Sequence, residues 1–201
     1  MTVALIDYGT GNVPSVERAL QKLGVTPRRV TRPDELACAS AIVLPGVGHY
    51  AAIIRALDAQ NLRRPLIESL SRGTPFLGIC LGLQALYAAS EEAPSLSGLG
   101  VLTGAVKSLP PTVKLPHMGW NRLRILSPSP VLKGISDADY FYFAHTFAAA
   151  TTAETSVAAC DYGEPFTAVL QRANVFATQF HPEKSGAAGA RLLQNFLRLA
   201  A

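Results

Sequence analysis

At 201 residues the chain has the length of one ordinary domain with a substantial core. Hydrophobic residues make up 49% and charged residues 16%, which excludes a disordered chain, and no apolar run approaches the length of a membrane span. The net charge of +4 is scattered over Arg28, Arg29 and Arg32, Arg63 and Arg64, and Arg122 and Arg124, with no long basic run or interleaved aromatics, which argues against nucleic acid as a partner. Such clusters read as solvated faces, with a basic patch toward an acidic partner protein as the second reading. Three cysteines, odd in number and widely spaced, argue against a disulfide framework. They point to a reducing compartment, and a start straight into a strand without a basic leader fits the cytoplasm.

In chain order, Val3-Ala4-Leu5-Ile6-Asp7 predicts a buried strand ending in the loop Tyr8-Gly9-Thr10-Gly11-Asn12. Pro14 at a first-turn position and the spacing of Val16, Ala19, Leu20 and Leu23 predict a helix closed by Gly24. A glycine loop between strand and helix could cradle a phosphate, but the third glycine of the dinucleotide fingerprint is missing, so a plain βα turn is the simpler account. Arg28 to Thr31 reads as an edge-like strand and Ala41 to Leu44 as a buried one that breaks at Pro45-Gly46-Val47-Gly48-His49. Helices are expected at Tyr50 to Leu57 and Leu62 to Leu70, leading to a strand over Phe76, Leu77 and Ile79. The order β-α-β-β-α-α-β-α implies helices on both sides of a mainly parallel sheet.

That strand stops at Cys80 and turns at once toward a helix carrying Leu83, Ala85, Leu86 and Tyr87, ended by Ser90 and Pro94. Gly78 and Gly82 flank the cysteine two residues either side, the G-x-S-x-G nucleophile elbow with sulfur in place of oxygen. A thiol at a helix N-terminus is favoured as thiolate by the unpaired N–H groups and the macrodipole. The Leu81 N–H would face an oxyanion formed on an attacked carbonyl, and the glycine loop containing Val47 and Gly48 is the candidate second donor. A buried structural cysteine is the plainer alternative.

After Pro94 short runs dominate: Val101 to Val106, Arg122 to Leu126, Tyr140 to Phe143, Ser156 to Ala159, Ala168 to Gln171 and Phe176 to Gln179. Turn signals such as Leu109-Pro110-Pro111 and Ser127-Pro128-Ser129-Pro130 separate them, so they read as antiparallel strands extending the sheet or forming a small second one. A last helix is expected from about Ala187, with Leu192, Leu193, Phe196 and Leu197 inside. Without repeat or linker, residues 1–201 read as a single domain.

A cysteine nucleophile needs a base and a group to orient it. Phe180-His181-Pro182-Glu183-Lys184-Ser185 offers both: Pro182 favours extended backbone at His181, and residues i and i+2 of an extended segment share a side, so Glu183 can lie beside the imidazole. A zinc site from Cys38, Cys80, Cys160 and the histidines lacks any close ligand spacing.

Gly78-Ile79-Cys80-Leu81-Gly82-Leu83-Gln84 together with His181-Pro182-Glu183 resembles the class I, triad-type glutamine amidotransferases. Asp7-Tyr8-Gly9-Thr10-Gly11-Asn12 with Ser15, Pro45-Gly46-Val47-Gly48, Pro116-His117-Met118-Gly119-Trp120-Asn121 and Gln179 to Ser185 are similar, within that family, to the glutaminase subunits of imidazole glycerol phosphate synthase. Val13-Pro14 and Leu83 depart mildly where the family varies. The resemblance implies a flavodoxin-like three-layer α/β fold, mainly parallel with an antiparallel extension, and a Cys80-His181-Glu183 triad that hydrolyses glutamine through a thioester. It implies an oxyanion hole from the Leu81 N–H and the Val47-Gly48 stretch, whose peptide is not always turned productively until the partner is loaded. It implies contacts to glutamine from Gly48, Gln84, Thr146 and Phe147. It also implies no cofactor or metal, and a (β/α)8-barrel cyclase partner that receives ammonia, with Asn12, Met118, Trp120 and Lys184 at that interface. From the residues alone, Gln84 fits helix packing, Thr146 and Phe147 fit strand pairing, and Trp120 fits a core position about as well as an interface anchor. Another glutaminase of the superfamily, as in pyridoxal phosphate synthesis, a cysteine peptidase, or a silent regulatory binding protein are the alternatives.

Overall fold

The computed structural model describes residues 1–9 and 11–200; Thr10 of the first glycine loop and Ala201 lie outside them. The N-terminal part follows the expected order closely. Strand β1 (Val3–Ile6), helix α1 (Val13–Lys22), β2 (Arg28–Val30), β3 (Ala41–Gly46), helices α2 (Tyr50–Ala59) and α3 (Arg63–Ser71) and β4 (Phe76–Cys80) succeed one another. Their strands pair in parallel, β2 to β1, β1 to β3 and β3 to β4. Such a sheet is covered on both faces, which is why its strands are apolar throughout rather than alternating. The pleat still sorts them: Val3, Leu5, Ala41, Val43, Leu77 and Ile79 enter one core with α1, while Ala4, Ile6, Ile42, Leu44 and Phe76 enter the other with α2 and α3. Strand β3 runs on through Pro45 to Gly46, two residues past the predicted break.

The next element differs from expectation. Helix α4 (Leu81–Gln84) is one turn, and the chain then becomes strand β5 (Tyr87–Ser90), where a continuing helix was predicted. Later residues take the carbonyls a helix would use internally: Leu99 N–H donates to Ala85 O at 2.8 Å and Leu102 N–H to Leu86 O at 2.9 Å. Apolar spacing cannot report such competition.

The remaining strands are β6 (Leu102–Ser108), β7 (His117–Arg122), β8 (Arg124–Ile125), β9 (Tyr140–His145), β10 (Phe147–Ala149), β11 (Ser156–Tyr162), β12 (Glu164–Arg172) and β13 (Val175–Thr178), followed by helix α5 (Gly186–Arg198). Among the described residues they give a main sheet in the order β2-β1-β3-β4-β13-β12-β11-β8, a three-stranded sheet β10-β6-β5 and the pair β7-β9. The sheet is thus both extended and supplemented. Two pairings depart from the antiparallel expectation, β13 with β4 and β5 with β6, which are parallel. The parallel return of β13 beside β4 matters most, because it delivers the segment after Thr178 to the end of the strand that carries Cys80. Helix α5 then packs Leu192, Leu193, Phe196 and Leu197 on the α1 side.

The arginine clusters are mostly matched by carboxylates: Arg29 with Glu17 and Asp7, Arg28 and Arg32 with Glu35, Arg64 with Glu68. These exposed pairs add little stability but cancel a continuous basic face. Among the described residues no helix is long and apolar enough to cross a membrane.

Candidate active site

Cys80 is the last residue of β4 and caps α4 with φ 53° and ψ −104°. A side-chain-bearing residue held there costs on the order of 1–3 kcal/mol, so its surroundings must enforce it. They do so through close packing: a Cβ on Gly82 would lie 2.0 Å from Leu44 O, and one on Gly78 would lie 2.7 Å from Gly82 O. Only bare glycine backbone lets α4 sit this near to β3. Because α4 is a single turn, its contribution is local N–H groups and not the long dipole expected from the sequence.

His181 follows β13 in extended conformation and opens a 3-10 turn, Pro182–Lys184. Its N–H donates to Tyr142 O at 2.9 Å, and its carbonyl accepts from Ser185 Oγ at 2.6 Å. Nδ1 lies 2.9 Å from Glu183 Oε1. The two side chains meet through the tight turn, since Glu183 is helical, and not through the alternation of an extended segment that the sequence suggested. Glu183 Oε1 also accepts from Asn12 Nδ2 at 3.1 Å. Burial opposes a charged imidazole, but the neighbouring Cys80 sulfur and Glu183 carboxylate outweigh it and raise the His181 pKa to about 10.

One cavity of about 580 Å³ joins these parts. Cys80 and His181 line it with Val47, Gly48, Leu81, Gln84, Thr146 and Phe147. Gly48 has φ +95°, a backbone shape that glycine adopts without strain, at the loop expected to offer the second oxyanion donor. Gln84 is buried with Nε2 donating to Phe147 O at 2.8 Å and to Gln179 Oε1 at 3.2 Å. It braces the cavity wall as well as lining it.

The four residues expected at an interface fall into different settings. Met118 and Trp120 are 65% and 54% exposed on β7, so the core reading of Trp120 fails. Trp120 is outside the cavity lining and meets Tyr142 edge-on at 5.9 Å. Lys184 lines the cavity and stands over the Tyr142 ring at 5.6 Å. Asn12 is turned inward to Glu183.

Sequence reasoning gave no role to several residues found here. Gln179 donates from Nε2 to Cys80 Sγ at 3.6 Å; a polar residue ending an apolar strand two places before His181 was a legible signal. His145 lines the cavity, and Ser185 Oγ accepts from Tyr142 N at 3.0 Å while holding His181. Glu92 lines the cavity and caps α2 by accepting from Tyr50 N at 2.7 Å, a contact across 42 positions with no local signature. Of the other cysteines, Cys38 is exposed and Cys160 is buried in β11, where burial and then Asp161 push its thiol up to about 12.

The profile of class-I glutamine amidotransferases matches residues 4–200. The chain is 45% identical over 197 residues to the imidazole glycerol phosphate synthase subunit HisH of Methanothermobacter thermautotrophicus, covering 98% of each chain. It is 46% identical over 195 residues to that of Desulfitobacterium hafniense, covering 96% of this chain and 92% of the relative. Against Deinococcus radiodurans the identity is 43% over 199 residues, 98% and 93% of the two chains. Among solved structures, a glutamine amidotransferase aligns with TM-score 0.78 at 20% identity, covering 98% of both chains, and PurLQS from Thermotoga maritima with TM-score 0.78 at 22%, covering 98% and 97%. These two share the fold, a mainly parallel open sheet between helical layers. With the match running nearly end to end, the chain belongs to the class-I glutamine amidotransferase family.

Proposed function

We propose that this chain, as one glutaminase domain, is the glutaminase subunit of a cytoplasmic imidazole glycerol phosphate synthase. The observation that carries this reading is identity of 40–46% along at least 96% of the chain to subunits of that enzyme.

In the proposed reaction Cys80 Sγ, as thiolate beside the His181 imidazolium, attacks the side-chain carboxamide carbon of glutamine. The carbonyl π pair moves onto oxygen, which is held by the Leu81 N–H and a donor from the Val47-Gly48 stretch. Collapse breaks the C–N bond, and the His181 proton leaves with the amine as ammonia, giving a thioester on Cys80. Water then adds with His181 taking its proton, the C–S bond breaks, glutamate is released, and the Cys80 thiolate beside the His181 imidazolium is restored. Glu183, 2.9 Å from Nδ1, holds the imidazole with Nε2 toward the sulfur and steadies its charge. Gly48, Gln84, Thr146 and Phe147 cradle the amino acid, and the Glu92 carboxylate gives the cavity a negative group suited to the α-ammonium.

Ammonia passes to a barrel cyclase that docks over Asn12, Met118, Trp120 and Lys184. The cyclase combines it with a phosphoribulosyl-formimino nucleotide to give imidazole glycerol phosphate and the aminoimidazole carboxamide ribonucleotide. The test is glutamate release from glutamine by the purified chain, alone and with the cyclase and its nucleotide. Low turnover alone, a rise of roughly 10²-fold or more with the loaded partner, the scale of gaining one oxyanion-hole donor, and loss of both in Cys80→Ala are expected. Strong turnover independent of the partner would move the chain to another branch of the family, and none in any setting would sink the glutaminase reading.

A further inference from the structure

Two histidines that the proposed reaction does not use meet at the cavity wall, His145 lining it and His117 behind. Antiparallel pairing of β7 with β9 sets His117 opposite His145, and both are buried. His117 Nδ1 is 3.1 Å from His145 Nε2, and His145 Nδ1 is 3.0 Å from Phe147 O. A carbonyl only accepts, so His145 Nδ1 carries the hydrogen and, in a neutral ring, Nε2 must accept. It accepts from His117 Nδ1–H, which leaves His117 Nε2 as an acceptor. Asn121 Nδ2 faces that atom at 3.5 Å, the longest link. The direction of this amide is fixed independently, since Nδ2 donates to Asp161 O at 3.3 Å and Oδ1 accepts from Arg122 N at 2.8 Å. Both rings are therefore Nδ1–H tautomers, and the chain of donors runs one way, from Asn121 to the Phe147 carbonyl.

The far end of that chain is the substrate cavity. Phe147 O accepts from Gln84 as well, and Ala144 O, just before His145, is 4.0 Å from Cys80 Sγ. The short stretch 144–147 thus touches both the nucleophile and the cradle, and the His145 ring folds forward onto the carbonyl two residues ahead to set its shape. The His117 ring is stacked between Phe143 at 4.8 Å and Tyr162 at 3.9 Å, and Phe166 meets His145 edge-on at 4.9 Å.

We propose that His117 and His145 are positioning residues of the glutamine site, which with Asn121 fix the Thr146–Phe147 backbone in the form that receives the substrate. The inference rests on the glutaminase reading above. The surroundings keep both rings in the neutral state the chain requires. Burial lowers His117 to about 4; burial, then His117 and more weakly His181, lower His145 to about 3 against the pull of the Phe147 carbonyl. The remaining groups against the pair are neutral there: the Tyr162 phenol, which donates to Lys114 O, the Asn121 amide, and the rings of Phe143 and Phe166. Asp161 enters only through its backbone carbonyl, its carboxylate being turned to Arg124.

The test is steady-state glutamine hydrolysis by the complex with the nucleotide-loaded cyclase. His117→Phe keeps a ring in the stack but removes the donor to His145, while His117→Asn returns an N–H near the place of Nδ1. A rise in KM for glutamine of roughly 10-fold or more, with kcat held within about threefold, is expected for His117→Phe, and recovery of most of that KM for His117→Asn. An active wild-type complex with KM unchanged in His117→Phe, or with kcat lost and KM unchanged, overturns the positioning role while leaving the glutaminase reading intact. A wild-type complex that releases no glutamate is the separate failure of that reading. Should His117→Phe not fold, by circular dichroism, ¹⁵N NMR of the wild-type histidines decides. Neutral Nδ1–H tautomers on both rings down to about pH 5 support the chain of donors, and an Nε2–H tautomer on either overturns it.

Discussion

Residues 3–82 contribute to the cavity chiefly through the shape of their backbone, whereas residues 84–185 contribute chiefly through side chains that hold one another. In the first region the strained Cys80 sits where β4 meets α4, and the fit is so close that Gly82 has Leu44 O where its side chain would be. In the second, His181 is fixed by Tyr142, Ser185 and Glu183, and the cavity wall by Gln84, His145 and His117. The proposed nucleophile therefore depends on a geometry that admits no substitution, while the proposed base and cradle depend on polar pairs that can be altered one at a time.

Substitutions should separate the two kinds of support. Gly82→Ala should have the largest effect: a methyl driven into the β3 backbone costs roughly 3 kcal/mol or more, which lowers Tm by about 6–12 °C in a chain of this size. Glutamate release should fall with it, and a Gly82→Ala protein that melts like the wild type would show that the elbow can relax.

Glu183→Gln should leave the melting temperature nearly in place and lower kcat/KM by on the order of 10²–10⁴-fold, the scale of general acid–base catalysis. The substitution also removes one of the two groups that raise His181 to about 10. With the carboxylate gone the imidazole loses its proton at lower pH, so the alkaline limb of the kcat/KM profile should move down by about a unit or more. An unmoved alkaline limb would mean that Glu183 does not govern the imidazole's charge.

The smallest expected effect lies outside the cavity. Trp120→Ala should leave the partner-free activity and the melting temperature unchanged, since the ring is 54% exposed and the aromatic contact it gives up is one edge-on approach to Tyr142. Affinity for the cyclase should drop by roughly 10-fold or more, as for an aromatic anchor, measured by calorimetric titration. Unaltered affinity would remove Trp120 from the proposed interface.

The sequence by itself determined the parallel half of the fold and the sharp turn at Cys80, because the relevant information is local. Apolar runs mark strands buried on both faces, Pro14 and Gly24 bound α1, and two glycines around Cys80 announce a turn that no other residue allows. The nearness of Glu183 to His181 was also local, although a 3-10 turn and not strand alternation produces it. Only the tertiary structure decided the rest. Helix α4 stops after one turn because carbonyls of Ala85 and Leu86 are claimed by Leu99 and Leu102. Strand β13 pairs in parallel with β4 across about a hundred residues, and that pairing brings His181 to Cys80. Trp120 lies outside and His117 inside on the same short strand because β7, paired edge to edge with β9, exposes one face and turns the other toward Tyr162 of β11 and Phe166 of β12. Periodicity records which faces of an element are apolar, but the partner of a free carbonyl, a buried imidazole or a parallel strand is chosen by distant residues competing for the same contact.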